Sequence, residues 1–258
     1  MSVLWMSSLS CSESEVWGTL LFHTAPDGTS LSGTYLQGRG PQSPPGFILL
    51  HQPGQARNRN DFDRIWFSLS ELGVALLAPD LRGHGDSEPM ANLDPLRLDP
   101  TGYPADLDSW LTFLQFRSDE GDFIDMQRIA IIGLSTSGSL AAAAVGSDRA
   151  QCAVAVSPRL DEVNAFASGL LSGDDDDSAD DDEDIEEGRV DPALALHDIR
   201  WVYAMEDEPT ASDVAVLSAS TSGGNDAFAL LGDIHGVEML WSSDEASDAI
   251  ISWCLNQL

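Results

Sequence analysis

Lysine is absent from the 258 residues, and all 12 basic side chains are arginine. Against 43 acids they leave a net charge of −31. Such a balance excludes nucleic-acid binding, which needs a basic face to meet phosphates. Cysteine is scarce too, at three residues, an odd number that cannot pair completely in a chain with no need of staples. Cys152 falls in an apolar strand pattern and Cys254 in the last helical pattern, so both read as core residues. No hydrophobic run reaches the length of a membrane span. A hydrophobic content of 43% with seven tryptophans fits an ordinary globular interior. The length suits a single α/β domain over 1–258.

The acidity has a consequence for stability. A surface this dense in carboxylates repels itself unless counter-ions screen it. Thermal stability is therefore expected to rise in molar KCl, as in proteins adapted to high salt. An equal melting temperature in dilute buffer and in molar KCl would contradict this. Part of the charge is local: the run from Asp174 to Glu187 holds 11 acids and no base, and taking it away leaves −20. It lacks the spaced ligands and turn glycine of a calcium loop, so it reads as a solvated, disordered insert at about 172–188. Cys11 follows a short apolar start and faintly matches a lipid-attachment site. The apolar start is interrupted by serines and preceded by no base, so a cytoplasmic protein is expected, with anchoring through Cys11 as the alternative.

Along the chain, strand and helix patterns alternate. Val16 to His23 and Leu31 to Leu36 flank the turn Pro26-Asp27-Gly28. Short apolar runs at Phe47–Leu50, Val74–Leu77, Ile129–Ile132, Ala153–Val156, Trp201–Ala204 and Ala227–Leu231 read as buried strands. Between them come helical stripes. Phe62, Ile65, Trp66, Leu69 and Leu72 form the first, Leu107, Trp110, Leu111 and Leu114 the second. Leu140 to Val145 reads as helix, and a closing helix turns Ile250, Trp253 and Cys254 inward. Thr210 with Asp213, and Ser242 with Glu245, resemble capping boxes. Alternation of this kind implies a mostly parallel sheet with helices on both faces, and a ligand site outside the carboxyl ends of the strands.

Three chemically capable side chains fall at those ends. Ser135 sits in Gly133-Leu134-Ser135-Thr136-Ser137-Gly138, a tight strand-to-helix turn between a β-branched run and an Ala-rich segment. Read alone, this serine is a nucleophile on an elbow or simply a helix N-cap. The elbow pattern G-x-S-x-G has Ser137 at its last position, with the glycine displaced to Gly138. Asp207 follows a buried strand, with Glu206 and Glu208 as neighbours that would serve if the strand ended one residue away. His235 lies in Gly232-Asp233-Ile234-His235-Gly236. His23 and His197 have no visible partner.

With His51-Gln52-Pro53-Gly54 after the third strand and Asp80-Leu81-Arg82-Gly83-His84-Gly85-Asp86-Ser87 after the fourth, these motifs resemble the α/β-hydrolase fold over nearly the whole chain. Small esterase-like and dienelactone-hydrolase-like members without a large cap domain are the nearest in style. The resemblance implies Ser135 as nucleophile, His235 as general base and Asp207 as its orienting acid, in the chain order that fold uses. It implies structural roles for His51 and His84, and an oxyanion hole built from the Thr136 N–H and a donor after the third strand. The usual second donor is here Pro53, which has no N–H, so either Gln52 or Gly54 supplies it from a shifted loop or the hole is incomplete. The implied activity is hydrolysis of a small ester or thioester through an acyl-enzyme, with no cofactor and no metal. The partner is a small-molecule ester-type substrate. The alternative is a non-catalytic binding protein of the same fold.

Overall fold

The computed structural model describes residues 18–40, 42–89, 99–171, 188–222, 226–242 and 244–258. Cys11, the residues before 18 that were assigned to the first strand, and the acidic run lie outside the described residues.

Among the described residues, eight strands form one sheet in the order β1-β2-β4-β3-β5-β6-β7-β8. β1 (Thr19–Thr24) and β2 (Ser30–Leu36) make an antiparallel hairpin at one edge, and β2 runs antiparallel to β4 (Ala75–Pro79). β3 (Pro45–Leu50), β5 (Asp125–Leu134), β6 (Cys152–Val156), β7 (Ile199–Ala204) and β8 (Asp226–Leu230) continue the sheet in parallel with β4. Side chains alternate across it. Ile48, Leu50, Ile131, Ala153 and Trp201 face one core, while Phe47, Leu49, Ile132, Val154 and Val202 face the other.

Helices cover both faces. α2 (Gly102–Asp119), α3 (Thr136–Gly146), α4 (Leu160–Leu171) and α5 (Thr210–Ser220) enclose the first core. α1 (Asp63–Glu71), entered through a 3₁₀ turn at Arg59–Phe62, joins α6 (Val237–Ser242) and α7 (Asp244–Gln257) over the second. Cys152 and Cys254 are buried there as free thiols. α4 packs on α2, α3 and α5, so among the described residues no large cap stands over the strand ends. Nor is any described helix long and apolar enough to cross a membrane.

The sequence patterns and the structure part company at several places. α4 was not anticipated, although its buried Leu160, Val163, Phe166, Ala167 and Leu170 keep a helical period. α6 was likewise missed, being a short helix between the last strand and α7. Neither capping box is seen as expected. α5 begins after Pro209, and Asp213 accepts from the Arg159 guanidinium (2.7 Å) and the Leu160 N–H at the start of α4 (3.3 Å) rather than closing a box on its own helix. Ser242 ends α6 and donates to the Met239 carbonyl (2.7 Å), and the Glu245 side chain lies outside the described residues. Leu72 and Leu231 sit just beyond their elements and are exposed. His23 does have a partner, the Ser109 hydroxyl at 2.6 Å, and His197 lies 3.2 Å from Asp198.

Candidate active site

The site is built where β5 gives way to α3. Ser135 occupies that junction with φ 55° and ψ −125°, a strained conformation for a residue with a side chain. Its N–H donates to the Val156 carbonyl of β6 (2.7 Å), fixing the turn to the neighbouring strand. Gly133 is required by contact: a Cβ there would come within 2.0 Å of the Ser137 carbonyl. Ser137 is more than small. It is buried, and its hydroxyl donates to the His51 carbonyl (2.7 Å), tying the elbow to the loop after β3. As the N-cap of α3, Ser135 makes no side-chain cap bond, because its hydroxyl turns away toward the histidine loop.

Three loops converge there. Ser135 Oγ lies 2.8 Å from His235 Nε2, and His235 Nδ1 lies 2.7 Å from the Asp207 carboxylate. With Nδ1–H donated to Asp207, Nε2 is left to accept the serine hydroxyl. The imidazole is 39% exposed and the carboxylate 14%, so the ring faces solvent while the acid behind it is shielded. Glu206 and Glu208 are exposed, and Glu208 accepts from the Ser212 hydroxyl (2.8 Å) of α5. Of the three neighbouring acids, Asp207 alone is bonded to the imidazole.

Two contacts absent from the sequence reading hold the His235 loop. The Ser157 hydroxyl, at the end of β6, accepts the Gly236 N–H (3.0 Å), and the Gln52 side-chain oxygen accepts the Val237 N–H (2.9 Å). Gly236 needs its missing side chain: φ is +57°, and a Cβ would lie 2.0 Å from Gln52 Oε1. Gln52 and Ser135 thus flank the same glycine.

Beneath this rim, His51 and His84 brace the loops after β3 and β4. His51 Nε2 accepts the Leu81 N–H and His84 Nε2 accepts the Gly54 N–H, each at 3.0 Å. Both rings donate Nδ1–H to carbonyls, His51 to Gln52 (2.8 Å) and His84 to Arg82 (3.0 Å). The Gly54 N–H is therefore committed to His84. Asp80 anchors the same corner, accepting from Arg59, Ser32 and the Asp86 N–H. Complete burial pushes the His51 imidazole down to about 4, with His84 and Arg59 opposing its protonation and Asp80 favouring it. An unfolded imidazole titrates near 6.5, so the unfolded chain binds the extra proton first as pH falls. Stability is expected to drop between about pH 6.5 and pH 4 by roughly 3 kcal/mol from this group. Urea midpoints at pH 7 and pH 5 check it: the midpoint should be lower at pH 5, and His51→Gln should flatten the difference. Equal wild-type midpoints would contradict it.

A sequence model described as the Alpha/beta hydrolase family matches residues 47–252, a span that takes in Ser135, Asp207, His235 and the two bracing histidines. The chain belongs to the alpha/beta hydrolase family. Curated proteins offer this hydrolase no match. Solved structures do. An esterase from Pyrococcus furiosus is 15% identical, with 99% of this chain and 97% of that chain covered at a TM-score of 0.63. An alpha/beta hydrolase from Penicillium sp. sh18 is 15% identical, covering 93% of this chain and 98% of its own at 0.64. The enol-lactonase from Burkholderia xenovorans LB400 is 14% identical, covering 90% and 99% at 0.60. At such identities the likeness is one of fold.

Thr136, the first residue of α3, directs its hydroxyl to the Glu162 carboxylate of α4 (3.0 Å), and Ser139 donates to the other oxygen (2.8 Å). Burial pushes the Glu162 carboxyl above its ordinary range, the two hydroxyl bonds opposing that shift. The sequence reading missed Glu162, Ser157 and the hydroxyl of Ser137. The only sequence signal for the first was a serine-rich helix start with no acid in its own first turn.

Proposed function

We propose that this member of the family is a single-domain serine hydrolase that cleaves a small ester or thioester through an acyl-enzyme. The observation that carries the proposal is the continuous chain of contacts from Ser135 Oγ through His235 to Asp207, drawn from the ends of β5, β8 and β7.

In this reading Ser135 Oγ attacks the carbonyl carbon while His235 Nε2 takes its proton. Asp207 holds the tautomer and stabilises the imidazolium that forms. The carbonyl oxygen becomes an oxyanion beside the α3 N-terminus, where the Thr136 N–H is free of an intrahelical partner. The second donor is the Gln52 N–H, because Pro53 has none and the Gly54 N–H is donated to His84. Collapse of the tetrahedral species expels the alcohol or thiol, which takes the proton from His235. Water enters, gives a proton to His235, and its oxygen attacks the acyl carbon. The second collapse releases the carboxylic acid and returns the proton to Ser135.

The absence of a large cap among the described residues supports small, readily entering substrates. The neighbours named as an esterase and an enol-lactonase act on the same bond class, a carbonyl with an oxygen leaving group. The acidic surface favours neutral over anionic substrates. Hydrolysis of p-nitrophenyl acetate and butyrate, and of acetyl thioesters followed by thiol release, tests the proposal. At least one series should turn over with an initial burst. Rates equal to buffer for all of them, from folded protein, would overturn it.

A further inference from the structure

Glu162 stands beside the reaction proposed above without belonging to the groups that carry it. The carboxylate near the start of α3 does not do what carboxylates at helix N-termini ordinarily do. There an acid takes the unpaired backbone N–H groups of the first turn. Glu162 comes instead from α4, and both of its oxygens are taken by hydroxyls, Thr136 Oγ1 on one and Ser139 Oγ on the other. Ser139 Oγ in turn accepts the Arg159 N–H at 2.9 Å, so the chain of bonds runs from the loop after β6 into the first turn of α3. Ser135, the cap residue, has no capping bond to give. The first turn of α3 is therefore held from the side, by Glu162, and its Thr136 N–H stays unoccupied.

Resting on the reading of Ser135 as nucleophile, we infer that Glu162 is the positioning residue of the oxyanion hole. It fixes Thr136 so that its N–H aims at the developing oxyanion, and it does so through side-chain hydroxyls that spare the N–H itself. Glu162 touches neither Ser135 nor His235 by a hydrogen bond; it acts through Thr136 and Ser139. Besides the two hydroxyls, the charged groups acting on it are Arg159 and Asp161.

The oxyanion exists only after attack, so a misaimed donor lowers kcat and leaves substrate binding intact. With the ester that wild type turns over best, Glu162→Ala is expected to lower kcat about 10- to 100-fold with KM within about threefold. Glu162→Gln, whose amide oxygen still accepts the Thr136 hydroxyl, should recover most of that loss. Thr136→Val removes the same link from the other end, with the N–H retained, and should mimic Glu162→Ala; Thr136→Ser should not. The Thr136 pair decides the matter if Glu162→Ala fails to fold. If kcat in folded Glu162→Ala and Thr136→Val equals wild type, or if KM rises while kcat holds, Glu162 has no positioning role. Wild-type protein with neither esterase nor thioesterase activity would overturn the proposed function instead, a result separable from both.

Discussion

Ser135→Ala should lower ester turnover by about 10⁴-fold or more while leaving the protein folded. The serine hydroxyl is the one group at the strand-to-helix turn that lies within hydrogen-bond reach of the His235 ring, at 2.8 Å. Removing it deletes the attacking atom, so only the oxyanion donors and the binding surface remain to help water, and they support a small residual rate. Alanine preserves the Ser135 N–H bond to Val156 that fixes the turn. The strained backbone at φ 55° is retained too, so little stability should be lost. Steady-state rates on p-nitrophenyl butyrate, with melting curves as a folding control, check the expectation. Turnover within tenfold of wild type would place the nucleophile elsewhere.

Asp207→Asn is expected to cost about 10⁴-fold in kcat, a loss of the size seen where an orienting acid is neutralised. The carboxylate accepts Nδ1–H at 2.7 Å and so leaves Nε2 unprotonated toward Ser135. An amide can present its NH₂ to Nδ1, which then becomes the acceptor and puts the proton on Nε2, the wrong side for a base. The imidazolium formed during attack also loses its counter-charge. Glu206→Gln and Glu208→Gln, on exposed side chains, should change kcat by no more than about threefold, as surface substitutions do. Kinetics on the three variants in parallel provide the check. A deep loss in Glu206→Gln or Glu208→Gln with Asp207→Asn near wild type would reassign the acid.

Much of this arrangement is legible in the residues. Buried parallel strands announce themselves as short apolar runs, and Ile129–Ile132 ending at Gly133 marks where the sheet delivers its chain into a tight turn. The placement of Ser135, Asp207 and His235 at strand ends follows from that alternation, and the family match over 47–252 agrees with the fold. The sequence favours Asp207 but leaves Glu206 and Glu208 open, because the choice depends on a one-residue phase at the end of β7 that only the register with β8 fixes. Pro53 signals a missing donor in the loop after β3, but nothing local says that Gly54 gives its N–H to His84, 30 residues away. Glu162 was invisible for the same reason: its partners lie 26 and 23 residues back, on a helix it meets only through packing. The capping box at Thr210 failed for a related cause, since a distant arginine and the start of α4 offered Asp213 partners outside its own helix.

Every rate proposed above depends on Ser135 being an activated nucleophile with a working oxyanion hole. Labelling of the folded protein with a fluorophosphonate, followed by peptide mapping by mass spectrometry, tests both parts in one measurement. Ser135 should be modified stoichiometrically, with labelling abolished in Ser135→Ala and strongly slowed in Asp207→Asn. Folded wild-type protein that takes up no label, or that carries it on another residue, would contradict the account.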